Sequence, residues 1–285
     1  MKVIKTGGDL QATIGQLNKL PLGFVPTMGA LHEGHLSLVE SAAAMCPVVV
    51  VSIFVNPTQF NYKNDLRNYP RTPEKDLTLL KRVLRPNDMA FMPDVKEVYP
   101  EEDKRQFNFG NLDHVMEALH RPGHFNGVAQ VVSRLFEIVK PDVAVFGQKD
   151  FQQLAVIKEL IRQTGSKIRI IGNPIIREDD GLAMSSRNTL LEPDIRKNAP
   201  VIFNTITAAS LMINEKEIYE IKSFVAENIG QRPDFEVEYF EIVDDTDLVP
   251  LNSRDEIKKG TKYFGCIAVR AGKIRLIDNI EINLA

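Results

Sequence analysis

Val25-Pro26-Thr27-Met28-Gly29-Ala30-Leu31-His32-Glu33-Gly34-His35-Leu36-Ser37-Leu38 decides how the rest of the chain is read. The apolar run 22–25 ends at Pro26 and a small-residue turn, and a new apolar periodicity at Leu36, Leu38 and Val39 begins directly after His35. That order predicts a strand, a tight glycine turn and the first turn of a helix. Such a junction aims several backbone N–H groups into one crevice at the carboxyl end of a strand, where the helix dipole favours an anion. Gly29 and Gly34 lack side chains where a phosphate-bearing ligand would approach the backbone. His32 and His35, two of five histidines in the chain, can face that crevice and donate to phosphate oxygens. The plain alternative is a pair of surface histidines at an ordinary turn, and the pairing of both rings in one glycine turn disfavours it.

Working outward, the 285 residues suffice for two domains or one large one. A content of 44% apolar and 26% charged residues is that of an ordinary globule. The formal charge of -3 gives no global basic field, which argues against nucleic acid as the main partner. A small anion needs only a local cationic pocket. Cys46 and Cys266 are far apart without ligand spacing and read as reduced, buried thiols of a cytoplasmic protein. Residues 1–6 lack the apolar core of a signal peptide, and the longest apolar stretch, 48–55, is too short for a membrane span.

Along the chain, Val3-Ile4 is a first short strand, and Asp9 caps a helix with Leu10, Ile14, Leu17 and Leu20 on its apolar face. After the glycine turn a helix runs from near His35 to about Met45. Residues 48–55 are too apolar for an edge and predict a central parallel strand covered on both faces. Asn56 and Gln59 follow at its carboxyl end, where their amides can either hold oxygens of a small polar substrate or satisfy turn backbone. Thr72-Pro73 starts a helix with a stripe of Leu77, Leu80 and Leu84, and 88–92 form the next strand. Residues 112–119 predict a short helix, 121–127 a glycine-rich cover over the crevice or a plain connecting loop, and 128–139 a buried helix stopped by Pro141. His120 and His124 are four apart, but Pro122-Gly123 destroys the geometry a helical metal pair needs. The strand 142–146 ends in Gly147-Gln148-Lys149-Asp150, which repeats the opening logic: Asp150 is a natural N-cap, and Lys149 is delivered at the mouth of the sheet. A last strand at 168–171 precedes an acidic glycine turn. Beyond Pro193 helices are expected over 195–213 and 218–229, then strands at 235–243, 263–269 and 273–278.

Residues 26–35 resemble the His-x-Gly-His signature of the nucleotidylyltransferase superfamily, which shares its fold with class I aminoacyl-tRNA synthetases. The longer Pro-Thr-Met-Gly-Ala-Leu-His-x-Gly-His form is similar to that of one family within it, the pantoate–β-alanine ligases. Residues 56–60, the Gly-x-Lys-Asp run at 147–150 and Met184-Ser185-Ser186-Arg187, counterpart of the Lys-Met-Ser-Lys-Ser loop, match that family's further motifs in order, so the resemblance covers essentially the full length. It implies a Rossmann-like parallel α/β domain, residues 1–175, binding ATP and pantoate, and a smaller α+β C-terminal lid domain, residues 176–285. It further implies ATP-dependent condensation of pantoate with β-alanine through a pantoyl adenylate, giving pantothenate, AMP and pyrophosphate on the coenzyme A route.

Carried over residue by residue, the resemblance gives His32, His35, Lys149 and Arg187 to catalysis. It assigns ATP contacts to Met28, Gly29, His32, Gly34, His35, Gly147, Lys149, Asp150, Ile176, Met184, Ser185, Ser186 and Arg187. Pantoate falls to Thr27, Asn56, Gln59 and Gln153, with Gln59 also near β-alanine, and Arg121 is offered to phosphates when its segment closes. His35 is the family's proton donor, although stabilisation of charge by a nearby donor serves equally. Lys75 interrupts the acidic pair Glu74 and Asp76, so no protein ligand is assigned to Mg2+, which is expected mainly on the ATP phosphates. A homodimer is the family's assembly. The rivals are a nucleotidylyltransferase acting on a phosphate acceptor, a fragment of a class I synthetase, and a catalytically silent nucleotide sensor. The first would need a basic acceptor pocket where amides stand, the second a basic tRNA-binding extension, and the third would not need leaving-group contacts.

Overall fold

The computed structural model describes residues 1–17, 20–60 and 63–284. Strands β1 (Lys2–Ile4), β2 (Leu22–Thr27), β3 (Val48–Ile53), β4 (Met89–Phe91), β5 (Val143–Gly147) and β6 (Arg169–Asn173) form a sheet in the order β1-β4-β3-β2-β5-β6. All its pairings are parallel. Helices α1 (Gly7–Gly15), α2 (Glu33–Met45), α3 (Lys63–Asn68), α4 (Pro73–Leu80), α5 (Val95–Val98), α6 (Glu117–His120), α7 (His124–Val139) and α8 (Phe151–Thr164) belong to this layer. Helices α9 (Pro193–Asn198), α10 (Val201–Met212) and α11 (Ile218–Gly230) pack with a second, antiparallel sheet of β7 (Phe235–Asp244), β8 (Tyr263–Ala271) and β9 (Ile274–Glu281).

The strand order fixes where a ligand can sit. From β2 the chain steps outward to β3 and β4 on one side and crosses to β5 and β6 on the other, so the β2/β5 boundary is the topological switch point. The glycine turn after β2 and Gly147 at the end of β5 flank it. Val48 to Val51 are all at or below 1% exposure, because β3 is interior and covered on both faces, which accounts for a run without alternation. The second sheet has its own core around Ile202, Ile206, Ile221, Val225 and Ile267, and reaches the first through the Phe151 and Phe264 rings, 4.4 Å apart. Cys46 and Cys266 are buried and unpaired.

Several sequence expectations move. Thr6, not Asp9, caps α1: its hydroxyl oxygen accepts from the Asp9 N–H at 3.1 Å and its hydroxyl donates to the Asp9 carboxylate at 2.7 Å. Because α1 stops at Gly15, Leu20 leaves the apolar face and is exposed. The helix expected over 112–119 is instead a 3₁₀ turn, Gly110–Asp113, and the short α6, separated by Met116 at φ +42°. Helix α7 starts at His124, so the expected cover over 121–127 is mostly the first turn of a buried helix. At Gly127 a β-carbon would lie 2.6 Å from the Thr58 carbonyl oxygen, so only glycine lets α7 press on the turn at 57–59. The Arg121 guanidinium faces Glu117 at 3.7 Å rather than open solvent. The helix expected over 195–213 is broken into α9 and α10 at Ala199-Pro200, where proline has no N–H to carry the ladder through.

Candidate active site

The turn after β2 is built from backbone demands. Gly29 sits at φ +80°, and a β-carbon there would meet Asp76 at 3.0 Å and Ile53 at 3.1 Å. Asp76, 1% exposed on the first turn of α4, receives the Ala30 N–H at 3.0 Å on one oxygen and the Leu31 N–H at 2.8 Å on the other. Thr27 closes the turn from below, its hydroxyl donating to Ser52 O at 2.7 Å and accepting from the Gly29 N–H at 3.3 Å. His32 then occupies the N-cap of α2, whose first residue, Glu33, lies two residues ahead of the expected start, and its N–H donates to His35 Nδ1 at 3.3 Å. The two rings lie 4.1 Å apart. Gly34 is the reason they fit: a β-carbon there would stand 2.9 Å from His32 Cε1 and 3.7 Å from Met184 Cβ. The two glycines thus make room for protein neighbours, Asp76 and the His32 ring, where the sequence suggested room for phosphate.

A cavity of about 220 Å³ opens over this turn. His32, His35, Met28, Thr27 and Gly34 line it from β2 and α2, and Asn56 and Gln59 from the end of β3. Gly147, Lys149, Asp150 and Gln153 line it from β5 and α8, and Ile176, Met184, Ser185, Ser186 and Arg187 from the segment after β6. Of the residues singled out in the sequence for ATP or pantoate, Gly29 and Arg121 do not line the cavity; Arg121 lines a smaller one that shares Lys149, Asp150 and Gln153 with it. Asp150 occupies the N-cap position of α8, but its carboxylate makes no capping bond. Ser185 accepts the Arg187 N–H at 3.3 Å, which starts the 3₁₀ turn Ser186–Leu190, and Ile176 O accepts the Met184 N–H at 3.0 Å.

The amides divide into a brace and a ligand-ready group. Asn56, 1% exposed, spends its NH₂ on Gly127 O at 3.1 Å and Gln59 Oε1 at 3.3 Å, while its oxygen accepts from Tyr99 OH at 3.0 Å. Gln59 in turn donates to the Met28 sulfur at 2.9 Å, a weak acceptor that a substrate oxygen would replace with gain. Both amides line the cavity; Asn56 is bonded at both side-chain ends within the turn, whereas the Gln59 NH₂ meets only the sulfur. His124 supports the same turn through Nδ1, 2.9 Å from Gln59 O.

Burial, then the neighbouring Lys149 ammonium, lowers His32 from 6.5 to about 4. Burial, then His32 and Lys149, lowers His35 to about 3. Both rings are neutral near pH 7. Since His35 Nδ1 accepts the His32 N–H, the hydrogen-bond pattern assigns its proton to Nε2. His32 Nδ1 is buried without a hydrogen-bond partner, an atom that calls for a ligand or water. Among the described residues no group of three or more His, Cys, Asp or Glu is arranged to hold a metal ion, and both oxygens of Asp76 already serve backbone N–H groups.

Sequence reasoning missed Asp76 as a brace of the turn, Gly127, Tyr99, and the pair Asp278 and Asn279 on β9. Asp76 carried a faint signal, since it stands in the first helical turn after Thr72-Pro73 and Thr72 Oγ1 reaches it at 3.1 Å. Nothing local marks Asn279, whose amide reaches Gln148 O and Lys149 O from 131 and 130 residues away.

A parallel sheet whose switch point is flanked by a His-x-Gly-His helix start, with a lysine turn and a Ser-Ser-Arg loop opposite, is the arrangement that the resemblance to nucleotidylyltransferases led one to expect. The particular branch follows from comparison. Residues 2–281 match the family described as pantoate-beta-alanine ligase, and the chain belongs to it. A pantothenate synthetase of Azobacteroides pseudotrichonymphae is 50% identical over 98% of this chain and 99% of its own. One from Bacteroides thetaiotaomicron is 49% identical over 99% of both. The crystal structure of pantothenate synthetase from Thermus thermophilus aligns over the whole of both chains with a TM-score of 0.89 at 40% identity. That of the pantoate-beta-alanine ligase of Francisella tularensis, complexed with beta-gamma ATP and beta-alanine, gives 0.81 at 31% identity, covering 100% of this chain and 99% of that one.

Proposed function

We infer that this enzyme condenses pantoate with β-alanine at the expense of ATP, releasing AMP and pyrophosphate. Family membership over nearly the full chain carries the reaction, and the convergence of imidazoles, ammonium and guanidinium on one cavity carries the assignment of residues. In the first step a pantoate carboxylate oxygen attacks the α-phosphorus of ATP, the bond to the bridging oxygen breaks, and pyrophosphate leaves. In the second, the amine of β-alanine attacks the acyl carbon of the mixed anhydride, the acyl–oxygen bond breaks, and AMP departs while the nitrogen loses a proton. No side chain forms a covalent bond. Catalysis is orientation plus stabilisation of charge spreading onto phosphate oxygens.

In this proposal His32, His35, Lys149, Ser185, Ser186 and Arg187 contact the triphosphate, and the Ile176 backbone lies near adenine. Gln59 and Gln153 hold pantoate, with Gln59 reaching toward β-alanine. Asn56 and Thr27 keep that pocket in shape. The depressed histidine values support hydrogen-bond donation by neutral His35 over transfer of a proton from an imidazolium. Mg2+ stays on the ATP phosphates, the harder oxygen donors, and no protein ligand is assigned to it. Residues 1–175 and 176–285 act as nucleotide domain and lid, each with its own sheet in support. The two free, buried cysteines support a cytoplasmic setting, and a homodimer is the assembly proposed from the family.

The test is ATP–pyrophosphate exchange with pantoate, with other acids, or with no acceptor. Exchange that requires pantoate supports the reaction. Lys149→Ala and His35→Ala should each lower kcat by about 10²- to 10³-fold, the scale of losing one preorganised donor. Near-normal turnover in the Lys149 variant would remove the assignment.

A further inference from the structure

The two phosphate-facing segments proposed above come from different parts of the chain, and the structure ties both to one point on β9. Asn279, 2% exposed, donates from its NH₂ to Gln148 O at 2.9 Å and to Lys149 O at 3.0 Å. Two carbonyls of consecutive residues turned to one side repel each other, and an amide NH₂ carries two hydrogens to satisfy both. The Asn279 main chain is itself fixed: its N–H meets Asp278 Oδ1 at 2.8 Å, and its carbonyl accepts from Arg177 at 3.3 Å. Arg177 forks onto the Asp278 carboxylate at 2.7 and 3.0 Å, donates to Gly181 O at 3.1 Å, and lies 3.7 Å over the Phe203 ring. It also bridges to Ala183 in the small hairpin that ends in Met184.

We propose that Asn279, seated by Asp278 and Arg177, is a positioning residue: it holds the Gln148 and Lys149 peptides in register with the Met184–Arg187 segment during adenylation. The Cα–Cβ bond of Lys149 leaves a backbone whose neighbouring carbonyls are pinned from β9, so the ammonium is aimed before ATP arrives. Arg177, one residue beyond Ile176, fixes the other segment through the same carboxylate. This arrangement lets the antiparallel sheet set the separation of two cationic groups without touching substrate. The proposal rests on Lys149 and Arg187 contacting the triphosphate, and the test separates the two statements.

The experiment compares Asn279→Ala, Lys149→Ala and the double variant in two half-reactions, ATP–pyrophosphate exchange with pantoate and aminolysis of supplied pantoyl adenylate by β-alanine, with Tm recorded for each. Asn279→Ala should lower the exchange kcat by about 10- to 100-fold, the penalty of a misplacement on the ångström scale, and change aminolysis by less than about 2-fold. The double variant should be no slower in exchange than Lys149→Ala, because a residue acting through another adds nothing once that other is gone. Equal losses in both half-reactions, or losses that multiply in the double variant, overturn the proposal. If Lys149→Ala itself exchanges normally, the reading of the site fails and takes the proposal with it. Should Asn279→Ala not fold, the similarly sized Asn279→Leu, which lacks the amide donors and adds no charge, allows the same comparison.

Discussion

The two walls of the cavity are held by different physics. The wall at the end of β2 is braced from within the parallel layer, by Asp76 on two backbone N–H groups and by glycines that admit Asp76 and the His32 ring at van der Waals limits. The facing wall, 176–187, is braced from across the molecule and largely by charge: Arg177 on Asp278, and Arg196 on Glu178 and Asp180. Short backbone bonds and close packing leave little freedom, whereas the partly exposed Arg196 pairs are screened and individually weak. The histidine wall is thus preformed, and in the facing wall the buried Arg177–Asp278 pair is the fixed point while the turn at Glu178 and Asp180 is the weakly held part.

The sharpest way to break that contrast is to disturb the rigid wall by one methyl group. Gly34→Ala would set a carbon 2.9 Å from His32 Cε1, and α2, with its N-cap and buried Leu36 behind it, cannot yield. The ring must swing, and exchange activity should fall by about 10²-fold, as expected for an ångström-scale displacement. Tm should barely move, since alanine suits a helix better than glycine. Normal exchange in this variant would mean that the His32 ring position has no bearing on chemistry. A smaller effect is expected from Asp76→Asn. It keeps one acceptor oxygen but turns a donor toward a backbone N–H, which should cost about 1–3 kcal/mol in urea unfolding, the range for one buried unsatisfied group. Exchange should weaken with it. Unchanged stability would show that the turn holds without its carboxylate brace.

How much of this was legible in the sequence follows from the range of the forces involved. The β2 turn, the buried β3 run and the lysine turn after β5 are local patterns; they led to the right sheet, and the structure gathers the residues of both turns around one cavity. The Rossmann-like parallel sheet followed by a smaller α+β portion is what the structure has. Helix ends were less readable. α7 starts at His124 behind Gly123, an N-cap at φ +78°, and the break between α9 and α10 needed Pro200 to be weighed against a strong apolar period. Least legible were the braces. Asp76 lies 45 and 46 residues from the amides it holds, and Asn279 lies 130 and 131 from its carbonyls, so neither contact has a signature in any window of sequence.

The finest distinction between the walls is their response to pH. His32 stands at about 4, His35 at about 3 and His124 at about 3, each lowered chiefly by burial from 6.5. The folded state refuses protons that the unfolded chain accepts below 6.5. The stability tied to these rings is therefore present in full above that value and is lost as pH falls toward 4 and 3. Replacing His35 with glutamine removes one such group, so the fall in Tm between pH 7 and 5 should be shallower in His35→Gln than in the parent. For the same reason kcat/KM for ATP, which reports the free enzyme, should show no histidine ionisation near 6.5. A bound triphosphate beside these rings would draw protons onto them, so the Tm increment from ATP should diminish less on acidification in the parent than in His35→Gln. If the two proteins lose that increment in parallel, His35 does not face the phosphates, and the preformed wall is a piece of packing without a part in the reaction.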